Sequence, residues 1–276
     1  MKNKLVAMEN AFFDAEPQYS WEQRCAAIAE AGFDGVYVVP WPLTDDCFKG
    51  YLRDITSAPA AHGLTVSTFF ANIDFAVPSS SKRTRRVLKE VAGFNRLELS
   101  LKCSDPAQNP PNPIDAARKE LDLLLPLAEA RSVEICLYHH TFYPIYHPDQ
   151  CIQLIKLLKH PLLCHAFATS HAYAHFTEEE ILQILTRHAP HIKSFNFCGC
   201  KRPGPFGSTK TKQYPLYESD LPLEPLLKIL ADSNYAGDIV VQGHGWQGNI
   251  TENLRRSRAW YSIKTWETET GSVKDS

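Results

Sequence analysis

Val133-Glu-Ile-Cys-Leu-Tyr-His-His140 is the stretch that decides the fold. A β-favouring, mostly apolar run passes without a turn into two histidines. Leu162–His171, His191–Cys200 and Asp238–Gly245 behave alike, each running from apolar β-type residues into His, Cys, Asn or Gln. Near-continuous apolar runs mark parallel strands that are covered on both faces. In a closed barrel of such strands the carboxyl ends share one mouth, where side chains distant in sequence meet. Histidine reaches that mouth at His139 and His140, at His171 and at His244, and none of these four segments brings a carboxylate there.

Working outward, strand-like runs recur about every 30 residues, at Lys4–Glu9, Gly35–Val39, Leu64–Phe70, Arg96–Leu101, Val133–Tyr138, Leu162–Ala168, Ile192–Phe197 and Asp238–Gln242. Helical patterns lie between them. Ser20 with Gln23 forms a capping box before Trp21–Ala31, which Gly32 ends; Thr177 with Glu180 forms another. Asn112 and Pro113 open a helix to about Arg131, and Pro148, Pro222 and Asn249 begin the late helices. Eight strands, each followed by a helix, make a single (β/α)8 TIM barrel over residues 1–266, with a polar tail at 267–276 expected to fray. An open doubly wound sheet is the rival reading, and it rarely uses eight such evenly spaced units.

The composition is that of an ordinary globular chain: 276 residues, 44% hydrophobic, 22% charged, formal net charge −2. That charge offers no general attraction to nucleic acid or to an anionic membrane. No long apolar run suggests a membrane span, and no export signal is visible, so a cytoplasmic location is expected. Eight cysteines are too few for a disulfide scaffold of this length and read as reduced thiols.

Two connections are long, Cys103–Asn112 and Gly199–Leu221, and both follow strand ends, which places them on the active face. The second carries Lys201, Arg202, Lys210 and Lys212, which read either as contacts for an acidic sugar or as plain solvated surface. Gly243-His-Gly-Trp-Gln-Gly248 matches G-x-G-x-x-G but lacks the second βαβ half of a dinucleotide fold; it offers a phosphate cradle or a tight turn. Trp41, Phe142, Tyr143 and Trp246 follow strand ends, where aromatic rings either stack on sugars or simply cap a barrel. His140, His171, Cys198 and Cys200 together would suit a soft metal such as zinc, although buried structural cysteine is the commoner role for a C-x-C.

The chain resembles the sugar phosphate isomerase/epimerase family, the xylose isomerase-like TIM barrels. Ala31-Gly-Phe-Asp-Gly-Val36, Gln242-Gly-His-Gly-Trp246 and Glu252-Asn-Leu-Arg-Arg-Ser257 with Trp260 carry the resemblance, and Leu137-Tyr-His-His140 is similar to a subgroup with Leu-Tyr-Pro-His at strand five. The resemblance implies one divalent ion held by Glu, Asp, His and Glu from strands five to eight. Those positions fall here on Tyr138, Ala168, Asn196 and Gln242, so all four are altered. It also implies substrate contact at His140 and His171, and a looser counterpart of a family arginine at Arg202.

Amide and phenol groups are poor ligands for hard cations and cannot act as carboxylate bases. No metal cofactor is therefore favoured, while a divalent ion stays open. Imidazole is the natural replacement base, its ordinary pKa lying near neutrality. His140 and His171 are the expected base and acid, with Glu9, at the end of strand one, as an auxiliary base. Tyr138, His139, Asn196, Arg202, Gln242, His244 and Trp246 are expected to bind substrate. A lone histidine in a strand is more often a satisfied core residue, and Glu9 equally suits a salt bridge. The implied function is isomerisation or epimerisation of a small sugar or keto-sugar by proton transfer beside a carbonyl. A lyase using the same proton abstraction and a non-catalytic sugar-binding barrel are the alternatives. A nucleic-acid partner is not expected, because the superfamily's DNA-repair enzymes need clustered zinc ligands and a basic groove. Homo-oligomers are common in the family, but no residue pattern here decides that state.

Overall fold

Leu97, Leu99 and Leu101 alternate with Glu98 and Ser100 along one strand. In a closed barrel the outward face meets a sheath of helices and is apolar, while the inward face fills the interior. The leucines lie in the large apolar core between strands and helices. Smaller interior clusters around Val6, Met8, Tyr37 and Val240, and around Cys136, Tyr138, Cys164 and Ala166, fill the inside.

The structure, a computed structural model, describes residues 3–40, 55–202 and 211–270. In chain order the strands are β1 (Leu5–Met8), β2 (Gly35–Val38), β3 (Thr65–Asp74), β4 (Arg96–Lys102), β5 (Glu134–Tyr138), β6 (Leu163–Ala168), β7 (Ile192–Phe197), β8 (Gly199–Lys201), β9 (Lys212–Tyr214) and β10 (Asp238–Val241). All but β8 and β9 close a parallel barrel in the order β1-β10-β7-β6-β5-β4-β3-β2. The helices are α1 (Trp21–Glu30), α2 (Ser57–Ala61), α3 (Pro78–Glu90), α4 (Pro113–Glu129), α5 (Pro148–Leu158), α6 (Thr169–His175), α7 (Glu178–His188), α8 (Glu224–Asp232) and α9 (Ile250–Thr270). The single (β/α)8 barrel expected from the sequence is the fold.

Local signals behave as their chemistry requires. Ser20 and Thr177 accept from the third helical amides of α1 and α7, and Gln23 and Glu180 close both capping boxes. Asn112 caps α4 through the amides of Ile114 and Asp115. Four features depart from expectation. The strand expected through Glu9 stops at Met8, and Glu9 opens a short 3-10 turn. β6 ends at Ala168 as expected, but His171, expected at a strand end, sits on helix α6. The long connection after β7 contains an antiparallel hairpin, β8 with β9. The last helix runs past Trp266 to Thr270, into the segment expected to fray.

The cysteines also need correction. Cys136 and Cys164 occupy directly paired positions on neighbouring strands and form a disulfide inside the barrel. Close cross-strand approach at one register position, invisible in a linear spacing, brings the two sulfurs together. No helix among the described residues is long and apolar enough to cross a membrane.

Candidate active site

Among the interior apolar clusters, polar layers are stacked from the amino-terminal end of the barrel upward. Arg96 of β4 donates to Glu134 at 2.8 Å and to Asp238 at 2.9 Å, tying β4 to β5 and to β10. One layer higher, the Glu98 carboxylate accepts from the Tyr37 hydroxyl at 2.9 Å and from Asn196 Nδ2 at 2.8 Å. Burial pushes the Glu98 carboxyl up, against the pull of the hydrogen bonds it accepts. Sequence reasoning missed this acid. Its signal was present in the alternation Leu97-Glu98-Leu99, which turns Glu98 inward once the leucines face the helices.

Tyr138 and Gln242 form the next layer. Gln242 Nε2 donates to the Tyr138 hydroxyl oxygen at 2.9 Å. The phenol is thereby an acceptor toward Gln242 and keeps its own proton to give elsewhere. Burial pushes the Tyr138 phenol well up, so that proton stays on the oxygen. The carbonyl oxygen of Gln242 is buried and has no hydrogen-bond partner among the described residues.

Above this floor stand His140 and His171, their ring centroids 3.9 Å apart, with Tyr143 stacked on His140 at 4.0 Å. One residue sets the protonation of both rings. His140 Nδ1 lies 2.6 Å from the Thr141 carbonyl, which can only accept, so Nδ1 carries the proton and Nε2 keeps its lone pair. His171 Nδ1 receives the Thr141 amide at 3.5 Å and lies 3.2 Å from its hydroxyl. Nδ1 is then the acceptor, and neutral His171 carries its proton on Nε2. Burial lowers both pKa values, His140 to about 4 and His171 well below its ordinary value, and mutual repulsion among the histidines adds to the shift. Both rings are neutral near pH 7.

Two cavities share this pair. An inner chamber of about 230 Å³ is floored by Tyr138 and Gln242 and walled by Asn10, Phe13, Phe70 and Tyr143. An outer chamber of about 610 Å³ opens toward the hairpin and the loop after β10. His140, His171, Gln213 and His244 line both. Gln213 escaped sequence reasoning because only the hairpin brings it here. It accepts the His244 amide at 3.0 Å and donates to Ser170 at 3.2 Å.

Of the expected site residues, the structure therefore brings His140, His171, Tyr138, Gln242, His244 and Trp246 to the cavities. Others lie elsewhere. Glu9 is fully buried, accepting from the Val39 amide at 2.8 Å and from Arg24 at 2.9 Å, and lines neither cavity. His139 points out of the barrel into a buried cluster with His165 and Phe167, because successive strand residues face opposite sides. Asn196 is in the interior layer below the chambers, held by Glu98. Arg202 donates to the carbonyls of Tyr173 and Phe176 at the end of α6 and lies over the Tyr173 ring. Trp41 and Lys210 lie outside the described residues. The loop Cys103–Asn112 lines neither cavity.

Neither ligand reading finds its donors together. Cys198 and Cys200 lie 3.5 Å apart, buried beside Thr169, and line neither chamber. Among the described residues no three His, Cys, Asp or Glu side chains gather as a metal site would require. At the altered family positions the donors are a phenol, an amide and an amide already engaged with Glu98, a set poorly matched to a hard divalent ion. In the glycine-rich turn the amides of Gly243, His244 and Trp246 are spent on Asn10, Gln213 and the Gly243 carbonyl. A phosphate cradle there would need those groups free.

A closed (β/α)8 barrel with its polar cluster at the carboxyl rim is the class of protein that fold and site define. The chain belongs to the xylose isomerase-like TIM barrel family, whose model matches residues 25–262. No curated protein matches it. Among solved structures it is similar to a 3-keto-D-glucoside 4-epimerase from E. coli, with 16% identity and a TM-score of 0.70 over 95% of this chain and 100% of that one. It is also similar to a D-psicose 3-epimerase, with 13% identity and a TM-score of 0.73 over 95% and 99%. A xylose isomerase-like TIM barrel/4-hydroxyphenylpyruvate dioxygenase fusion protein matches with 14% identity and a TM-score of 0.76; this chain is covered completely but spans only 45% of that longer protein.

Proposed function

We propose that this protein is an isomerase or epimerase of a small sugar or keto-sugar, moving a proton beside a carbonyl with His140 as base and His171 as acid. The opposite protonation that Thr141 imposes on two adjacent neutral imidazoles carries this reading. His140 Nε2 takes the proton from the carbon next to the carbonyl. The C–H electron pair moves into the new C=C bond and the carbonyl pair onto oxygen, giving an enediolate. That oxygen receives a proton or a hydrogen bond from His171 Nε2–H, and the Tyr138 hydroxyl supplies a second donor. Return of a proton to the neighbouring carbon gives the isomer; delivery to the original carbon from the other face gives the epimer. The epimerase names of two structural relatives and the Leu137-Tyr-His-His140 resemblance support the same class. Glu9 has no part in this scheme, since both its oxygens are engaged inside the fold.

The test is metal analysis of the purified protein followed by solvent-deuterium incorporation into a panel of sugars and keto-sugars. Exchange should fall about 10²–10⁴-fold in His140→Ala and in His171→Ala. Exchange that survives both substitutions overturns the assignment. Binding without exchange identifies a sugar-binding barrel, and exchange with loss of a leaving group identifies a lyase.

A further inference from the structure

The imidazole pair does not stand at the bottom of one pocket. It stands at a neck, with a smaller chamber below and a larger one above. Pockets for small molecules commonly measure about 300–1,000 Å³. The inner chamber, at about 230 Å³, falls short of that range, whereas the outer one, at about 610 Å³, lies well inside it. A free monosaccharide seated on Tyr138 and Gln242 would leave the larger chamber to water. A reacting carbon held at the neck, with its ring below, would instead direct a substituent upward.

We infer that the outer chamber is a second sugar subsite and that the substrate is a glycoside, a keto-sugar ring linked to a second ring. This rests on the proton-transfer reading above, because that reading places the reacting carbon at the neck. The walls suit such an occupant. Phe142 immediately follows the His140–Thr141 pair and leaves its ring 67% exposed at the rim. Its backbone is in the left-handed region, φ 71°, a conformation uncommon for a large side chain. Trp246 forms another wall of the chamber. Aromatic faces with scattered hydrogen-bonding groups recognise sugar rings. Lys212 and Glu218 carry opposite charges in the same chamber, so the wall favours a neutral second ring over a phosphate.

The experiment compares a ketohexose, its methyl glycoside and a disaccharide containing the same keto ring. Each is measured by solvent-deuterium exchange for KM and by calorimetry for Kd. The disaccharide should show a KM or Kd about ten-fold or more below that of the free ring, with the methyl glycoside resembling the free ring. Phe142→Gly removes the platform while adopting the same φ without strain, so the variant keeps the fold. It should collapse the disaccharide-to-monosaccharide ratio toward one. Equal constants for all three ligands overturn the subsite, even if exchange is observed and the proton-transfer reading survives. A preference that persists in Phe142→Gly overturns its placement in this chamber. Preferential binding of the disaccharide without exchange upholds the subsite while refuting the catalytic reading. No binding of any of the three refutes both.

Discussion

His139 makes the stability of this barrel depend on pH in a calculable way. It is fully buried, and burial lowers its pKa from 6.5 to about 3. Unfolding returns it to water and to its ordinary value. Between these two values the unfolded chain binds a proton that the folded chain does not, so stability rises with pH across that window. The contribution is complete above pH 6.5 and is lost as pH falls toward 3. Lowering the pH from 6.5 to 5 removes about 2 kcal/mol through this one ring. For a chain of this size that corresponds to roughly 3–4 °C in Tm. His140, His165 and His171 are shifted in the same direction by burial and add to the slope. The assay is urea unfolding at several pH values between 7 and 5, for the wild type and for His139→Asn. The wild type should be steeper by about 1.4 kcal/mol per pH unit near pH 5, whatever the substitution does to stability at pH 7. Parallel slopes would refute the reasoning, because they would mean that His139 is protonated equally in both states.

Glu98→Leu leaves the Tyr37 hydroxyl and the Asn196 amide without an acceptor in the interior; urea unfolding should show a loss of about 2–4 kcal/mol, whereas Glu98→Gln, which keeps an acceptor oxygen, should lose much less. Arg96→Met strips the partner from Glu134 and Asp238, and about 3–5 kcal/mol of stability should disappear; a neutral result would show that the ion pairs contribute nothing. If His140 is the base, kcat/KM should stay level from pH 8 to below 6 and decline only as pH nears its pKa of about 4 or the barrel unfolds. An acid limb at 6.5 would assign the base to another group.

Much of the fold is legible in the amino-acid sequence because it depends on short-range chemistry. β-type runs, capping boxes and N-terminal prolines act over a few residues, and those signals place the barrel strands and the helices they mark. The ends of β5 and β10 are legible for the same reason: a strand that finishes with Tyr-His-His or Gln-Gly-His must deliver those groups to the rim. What faces what is another matter. His139 and His140 are adjacent in sequence, yet alternation sends one into the outer core and the other into the cavities, and only the barrel's closure decides which is which. Glu9 reads as a rim carboxylate along the chain, but Arg24 and the Val39 amide enclose it. Cys136 meets Cys164, Gln213 meets His244, and Asn196 meets Glu98 across long loops, through register and hairpin geometry that no local spacing encodes. The sequence by itself determined the kind of barrel and which segments carry histidine toward its rim, since both follow from periodicity along the chain. Tertiary structure alone decided how those imidazoles are paired and protonated, and that two chambers meet at them, because both depend on hydrogen bonds and contacts between residues that become neighbours only when the barrel closes.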